Sequence, residues 1–393
     1  MRHLIVLVVM AFLFAGCIQK QVVPLKMPQK QTTVQTTEED KKTVIEEFAP
    51  NETIIKEEII DNKGSKNEII EDSEELLAAI NEAVLNFDET KAKIKLAFVY
   101  PSSLVSKYAK NSINTVAGYL SSLNTNYNLE VIDSINESED NILKVIDTIK
   151  EKEITKVIAL YTPNAINILN RVNLDDMIVY LPLIEEKESL IKNDNLIFGS
   201  ISYEKQLQKL SDYINGTSVL FYQDTYLGNK LRNSYEAVIG NTIARKEIRS
   251  SDTNFKNIVK DSRLNGSIIY LNTNIVKSSL ILSQIRANEM EPKAIFSTQI
   301  NFDPMLLVLT QDKDRERLVI ASSIESIDSR LKDEILTYGG NINFEWVDYS
   351  TLVGVNYLIN GNNSFIPTKI DENQAIYNPR LFKSADYGFV EIK

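Results

Sequence analysis

The stretch Thr217-Ser218-Val219-Leu220-Phe221-Tyr222-Gln223-Asp224-Thr225-Tyr226-Leu227-Gly228 decides the fold of this 393-residue chain. An apolar run over 218–222 stops at a polar, aromatic turn, and a helical pattern starts at once at Gly228. Such a pattern reads as a strand that delivers a loop to an open sheet edge. In open α/β sheets, ligands bind at loops of this kind, outside the carboxyl ends of the strands.

Working outward, the same alternation recurs on both sides. Upstream, a strand over 94–100 ends in Pro101-Ser102-Ser103, and helical spacing follows over 106–123. Strands over 129–132, 157–161 and 178–181 then alternate with helices over 138–150 and 164–172. After 196–200 the rhythm restarts. Helices over 203–214, 228–238, 255–264 and 274–288 alternate with strands over 218–222, 244–248, 267–271, 293–297 and 318–321. Strands separated by helices predict parallel sheets covered on both faces. One sheet of this many strands is disfavoured, so the expectation is α/β with two parallel-sheet, Rossmann-like lobes and a hinge. The end of the chain breaks the pattern, with a helix over 349–359, a loop punctuated by Asn360-Gly361 and Pro379, and two short strands about a turn. Such an ending can cross back to close the lobes at their hinge.

The N-terminus has a different character. Arg2 and His3 precede an apolar run over 4–13, too short for a comfortable membrane span, and Ala15 and Gly16 precede Cys17. That is a secretory signal with a cleavable end. Phe14-Ala15-Gly16-Cys17 resembles a bacterial lipobox, whose cysteine is acylated and becomes the first residue after cleavage; Phe14 stands where Leu is usual. The resemblance implies a palmitate-type lipid on Cys17 and anchoring to a membrane. Ile18 rather than Asp after the cysteine favours the outer membrane of a cell envelope, with the chain facing the periplasm. His3 and Cys17 are the only His and Cys. A mature chain beginning at Cys17 therefore has no histidine and no free thiol, which excludes histidine or cysteine catalysis, disulfides and structural zinc.

Between 18 and 93 the composition is rich in Gln, Thr, Glu and Lys, too polar to bury a core. Without Arg2 the chain carries 42 basic and 54 acidic side chains, and 18–93 alone holds 10 and 17 of them. This segment thus contributes −7 of a net −12, and neither it nor the remainder has a basic footprint for nucleic acid. As a coil of about 50 residues it reaches roughly 40 Å. An N-capped amphipathic helix is expected near 72–87, where Asp72-Ser73-Glu74-Glu75 leads into Leu76, Leu77, Ile80 and Val84. The expected organisation is a signal over 1–16, lipidated Cys17 and tether over 17–92, an N-terminal lobe over 93–200, a C-terminal lobe over 201–323, and returning segments with the hinge over 324–393.

The order and spacing over about 94–393 resemble the type I periplasmic-binding-protein fold. This is the fold of branched-chain amino-acid receptors and of the C-terminal domain of lipoprotein activators of penicillin-binding proteins. The stretch 219–228 is similar to the family's apolar strand, Tyr, polar residues, aromatic and Gly leading into a helix. The resemblance implies a ligand between the lobes, held by loops at strand ends. By position these supply Ser102, Ser103, Thr162, Asn164, Tyr222, Asp224, Tyr226, Asn272 to Asn274, Thr298 with Gln299, and Ser322 with Ser323. Their hydroxyls, amides and aromatic faces suit a small polar solute, and the same residue types also serve as helix N-caps. Two departures stand out. Leu183-Ile184-Glu185-Glu186-Lys187-Glu188 is acidic where an amino-acid carboxylate should sit, and 272–274 is neutral where an acidic partner for an ammonium is expected.

The expectation is a non-catalytic envelope lipoprotein that binds a small polar solute between two lobes, with no cofactor and no metal. A second reading is an interaction protein with a degenerate cleft, docking and regulating an envelope enzyme such as a peptidoglycan synthase. A third is a carboxylate-based hydrolase using Glu185, Glu186 and Asp224. No phosphate-cradling glycine loop is present.

Overall fold

The computed structural model describes residues 93–386 and 388–392. The signal, Cys17, the tether and the helix expected near 72–87 lie outside the described residues. Strand β1 (Ile94–Tyr100) sends Leu96, Phe98 and Tyr100 into one apolar cluster and Ala97 and Val99 into another. Successive side chains of a strand point to opposite faces, and a parallel strand covered on both faces is apolar throughout. β2 (Tyr127–Asp133), β3 (Lys156–Ala159), β4 (Ile178–Leu181) and β5 (Leu196–Phe198) join it in parallel, in the order β2-β1-β3-β4-β5. Helix α1 (Ser102–Ser122) covers the first face. Helix α2 (Glu139–Glu151) covers the other through Ile142, Val145, Ile146 and Ile149, the stripe that a 3.6-residue period produces.

The second lobe repeats the plan. Helix α3 (Tyr203–Tyr213) leads to β6 (Ser218–Gln223), α4 (Tyr226–Val238), β7 (Thr242–Ile248), β8 (Ile268–Asn272), α5 (Ile275–Ala287), β9 (Ala294–Ser297) and β10 (Leu318–Ser322). The strands lie in the order β7-β6-β8-β9-β10. Again the central strand divides its side chains, with Val219 and Phe221 in one cluster and Leu220 and Tyr222 in the other.

The C-terminal segment does more than close a hinge. Helices α6 (Ser329–Thr337) and α7 (Trp346–Asn360) pack on α1 of the first lobe, and α7 is buried along nearly its whole length. β11 (Lys369–Asp371) and β12 (Gln374–Ile376) then extend the first sheet beyond β5, and β13 (Arg380–Ala385) and β14 (Gly388–Ile392) extend the second beyond β10. The described chain therefore passes between the lobes near 199–202, 323–328 and 377–379. These passes are pinned to one another. The Tyr377 hydroxyl donates to the Gly199 carbonyl at 2.5 Å, Arg380 donates to the Ile324 carbonyl at 2.8 Å, and Gln206 donates to the Ser323 hydroxyl at 2.8 Å.

Two helices are shorter than the sequence pattern predicts. Over 164–172 there is a 3-10 turn at Pro163–Ala165 and one α-turn at Ile166–Leu169. Over 255–264 the helix spans Lys256–Val259 only, because the Asp261 carboxylate accepts from the Arg263 N–H and starts a separate 3-10 turn. An Asp inside a helical pattern competes with the helix in this way.

Candidate functional site: the strand-end loops and the hinge

The predicted loops of the first lobe meet at the carboxyl ends of neighbouring strands β1 and β3. Ser102 and Ser103 form the leading turn of α1, set off by non-helical backbone at Val105 (φ −127°, ψ 16°). Their amides are already engaged. Ser102 N–H donates to Asp133 Oδ1 at 3.1 Å, and Ser103 N–H donates to the Ile135 carbonyl at 2.9 Å. At the end of β3, Glu137 spans Thr162, accepting from its backbone N–H at 2.5 Å and from its hydroxyl at 2.6 Å. Asn164 is exposed, and its N–H donates to Thr162 Oγ1 at 3.4 Å. Unpaired N–H groups at helix starts and strand ends attract anions. Here two carboxylates of the chain itself hold those positions. Asp133 and Glu137 were missed by sequence reasoning; the usable signal was an acid at the end of β2, the strand beside β1, and a second acid in the loop that follows it.

In the second lobe the predicted residues divide into two groups. Tyr222 is buried and its hydroxyl donates to Glu247 Oε2 at 3.0 Å, with the Arg232 guanidinium 5.2 Å above the ring centre. Asp224 is exposed, and Tyr226, the first residue of α4, is 39% exposed. The cap of α4 is Thr225, whose Oγ1 accepts from Gly228 N–H at 3.0 Å. Asn272 is the register partner of Tyr222, and Thr298 follows β9, the next strand. Asn272 is 1% exposed, and among the described residues neither its amide oxygen nor its amide nitrogen has a hydrogen-bond partner; the hydroxyl of the buried Thr298 and the Nε2 of Gln299 likewise have none there. Leaving such a group unmade costs about 1–3 kcal/mol, so three at adjacent strand ends mark a place for water or a polar ligand.

The acidic loop after β4 faces the second lobe. The Lys187 ammonium lies 3.3 Å from Glu185 and 3.0 Å from Glu204 of α3, and Glu188 lies 3.1 Å from Lys230 of α4. The two pairs cross the lobe boundary with opposite polarity. Burial pushes the Glu185 carboxyl above the usual range, although Lys187 counteracts it. Burial works against the Lys187 ammonium, yet Glu185 and Glu204 outweigh it and raise its pKa. Apolar contact accompanies these pairs, since Leu227, Leu231 and Ile300 of the second lobe belong to the same cluster as Tyr100, Tyr108 and Leu183 of the first.

A cavity of about 270 Å³ lies at the hinge, lined by Glu185, Glu186, Lys187, Glu204, Ser323, Tyr377 and their neighbours. Asp224 is not among its lining residues, so the structure does not place it with Glu185 and Glu186 as a hydrolytic set. None of the predicted ligand contacts at Ser102, Ser103, Thr162, Asn164, Tyr222, Asp224, Tyr226, Asn272 or Thr298 lines it either. Among the described residues no His, Cys, Asp or Glu cluster is placed to hold a metal, and no helix is long and apolar enough to cross a membrane.

No family model and no curated protein matches this sequence. Solved structures do match. A branched-chain amino acid ABC transporter protein from Rhodospirillum rubrum aligns at 12% identity over 76% of this chain and 99% of its own, with a TM-score of 0.58. A branched-chain amino acid transporter substrate binding protein from Streptococcus pneumoniae, solved with isoleucine, aligns at 12% identity over 76% and 99%, with a TM-score of 0.53. A branched chain amino acid ABC transporter periplasmic ligand-binding protein from Burkholderia xenovorans aligns at 10% identity over 77% and 95%, with a TM-score of 0.55. The shared feature is the fold: two mostly parallel sheets with flanking helices, arranged as the two lobes of a type I periplasmic binding protein.

Proposed function

We propose that this chain is a non-catalytic binding module of the bacterial envelope, which takes a small polar solute between its two lobes. The observation that carries this reading is the buried, unpaired amide of Asn272 beside the unpaired Thr298 hydroxyl, at the strand ends where the fold presents ligand-binding loops. The solute is neutral or cationic. A carboxylate finds the first-lobe amides already taken by Asp133 and Glu137, and it meets the acidic loop of Glu185, Glu186 and Glu188.

The test is a thermal-shift screen against sugars, amides, peptides and muropeptides, on the wild type and Asn272→Leu. A ligand at 100 times its Kd stabilises the wild type by about 2.7 kcal/mol. Asn272→Leu removes an unpaired amide from a buried site, so it leaves the unliganded protein at least as stable and abolishes the shift. A ligand shift that survives in Asn272→Leu sinks this site.

The anchor forms part of the same reading. Cys17, after Phe14-Ala15-Gly16, carries the lipid, and the 17–92 segment holds the lobes away from the outer membrane on its periplasmic side. Cys17→Ala is expected to abolish metabolic labelling with a palmitate analogue; a label that persists refutes the lipidation.

A second reading is favoured by the two ion pairs and the apolar contact that span the lobes. In it the cleft is shut and a lobe surface docks an envelope enzyme such as a peptidoglycan synthase. No shift with any solute, in either protein, is the outcome that this reading expects.

A further inference from the structure

We infer that Asn215-Gly216, in the turn between α3 and β6, is a self-modification site, at which the backbone converts the asparagine to aspartate and isoaspartate. The chain holds three Asn-Gly pairs, at 215–216, 265–266 and 360–361, each with an exposed asparagine. Sequence does not distinguish them; their hydrogen bonds do. The nucleophile is the glycine nitrogen. It gives up its proton and bonds to the asparagine Cγ, the C–N bond of the side-chain amide breaks, and the nitrogen leaves as ammonia. Water then opens the resulting succinimide at either carbonyl, giving aspartate or, with one more methylene in the main chain, isoaspartate. Glycine permits the ring to close because no Cβ crowds its nitrogen.

At two of the three pairs that nitrogen is engaged. Gly266 N–H donates to the Glu291 carbonyl at 2.8 Å, and Asn265 Oδ1 accepts from Glu291 N–H at 2.8 Å. Gly361 N–H donates to the Tyr357 carbonyl at 2.8 Å, and Asn360 Nδ2 donates to the Tyr119 hydroxyl at 2.7 Å. Both contacts must break before either ring closes, which slows these pairs by at least about tenfold. At the third pair, among the described residues, nothing accepts from Gly216 N–H and the Asn215 side-chain amide has no partner. The one contact present assists the chemistry. Lys293 Nζ, immediately before β9, donates to the Asn215 carbonyl at 3.0 Å. That oxygen and the Gly216 nitrogen belong to one peptide unit, whose deprotonated form spreads its charge over both atoms. A cation on the oxygen stabilises this charge where it develops, so the nitrogen attacks more readily. The product matters to the second lobe. Two residues on, the Thr217 carbonyl accepts from Ile268 N–H at 2.8 Å, and Ser218 N–H donates to the Asn241 carbonyl at 2.9 Å, so β6 is tied here to both neighbouring strands. A main chain lengthened beside these bonds loosens the start of β6.

The experiment is peptide mapping by mass spectrometry of the folded protein held at pH 8, with the same protein in urea as reference. In urea the three pairs are expected to convert at similar rates. In the folded protein Asn215 is expected to convert at least about tenfold faster than Asn265 and Asn360. Lys293→Met is expected to slow Asn215 severalfold in the folded protein and to leave its rate in urea unchanged. Gly216→Ala is expected to fold normally, because Gly216 lies outside the left-handed region and a Cβ there meets Ile268 Cδ1 at 3.5 Å and Lys293 Nζ at 3.9 Å, both ordinary contacts. That variant should resist conversion and keep its unfolding temperature through the incubation, while that of wild type falls. Equal folded-state rates at the three pairs, or a faster rate at Asn265 or Asn360, overturns the proposal. A Lys293→Met rate equal to wild type removes the ammonium from it, and a wild-type unfolding temperature that holds while Asn215 converts refutes the loosening of β6.

Discussion

Gly228→Ala is expected to destabilise the second lobe by about 3 kcal/mol, the upper end of the cost of overpacking, and to lower the urea midpoint accordingly. A Cβ built at Gly228 lies 2.0 Å from the Gln223 carbonyl oxygen, 2.8 Å from its carbon and 3.1 Å from the Gln223 nitrogen. All three are backbone atoms of β6 and its end, so no side chain can rotate away. The same substitution carries an opposing gain, since alanine in a helix is favoured over glycine by about 1 kcal/mol. The clash wins because relieving it moves the first turn of α4 off the strand. That movement also breaks the Thr225 cap, whose hydroxyl accepts from the N–H of residue 228 itself. Gly240 provides the control, because a Cβ there meets nothing within 4 Å among the described residues, and Gly240→Ala should stay close to wild type. A Gly228→Ala midpoint equal to that of the control would falsify the close-approach argument.

That glycine also shows why the fold was legible. Strand, polar turn, aromatic and glycine follow one another in 217–228 because the chain must reverse sharply while its helix stays against the strand that feeds it. Alternating apolar runs carried the rest of the two lobes for the same reason: covered parallel strands are apolar on both faces, and period two divides Leu96, Phe98 and Tyr100 from Ala97 and Val99. The weak points were local. β5, β11 and β12 are three residues each, too short to show a period, and α6 exposes most of its surface. α7 is the opposite case, buried on nearly every side, so it shows no stripe to announce where it begins.

The site was legible only as a set of loops. Position after a strand picks out Ser102, Thr162, Asn272 and Thr298 as candidates, but not which of their polar atoms are occupied. That depends on partners far along the chain: Glu137 lies 25 residues from Thr162, and Asp133 lies 31 from Ser102. The acidic loop was legible as a departure, and its role was not, because Glu204 and Lys230 reach it from helices of the other lobe. Tyr222 illustrates the limit from the other side. Its place in the motif marks the fold, while its hydroxyl is spent on Glu247 of the neighbouring strand.

Asp348→Asn is expected to raise stability at pH 8 by up to about 4 kcal/mol and to leave it near wild type at pH 4. Asp348 sits in the first turn of α7, 2% exposed, and accepts from Ser112 Oγ at 3.1 Å and from Asn341 N–H at 2.8 Å. Burial pushes its pKa up from 3.8 to about 7, against the opposing pull of those two hydrogen bonds. The start of a helix also favours a negative charge, by about 0.3–1 kcal/mol, which is too little to offset removal from water. The sign follows from proton counting. Between about pH 4 and pH 7 the folded chain holds a proton that the unfolded chain has released, so this group's contribution is fully present at low pH and is lost as pH rises through 7. A shift of about three units corresponds to about 4 kcal/mol. Asparagine stays neutral throughout. Its oxygen can accept from Asn341 N–H and its nitrogen can donate to the Ser112 hydroxyl, so both contacts survive. Urea unfolding of the two proteins at pH 4, 6 and 8 isolates the difference from every other titrating group. If the variant gains nothing at pH 8, the carboxylate is not held uncompensated in the core, and α7 tolerates its charge through relaxation around Ser112 and Asn341.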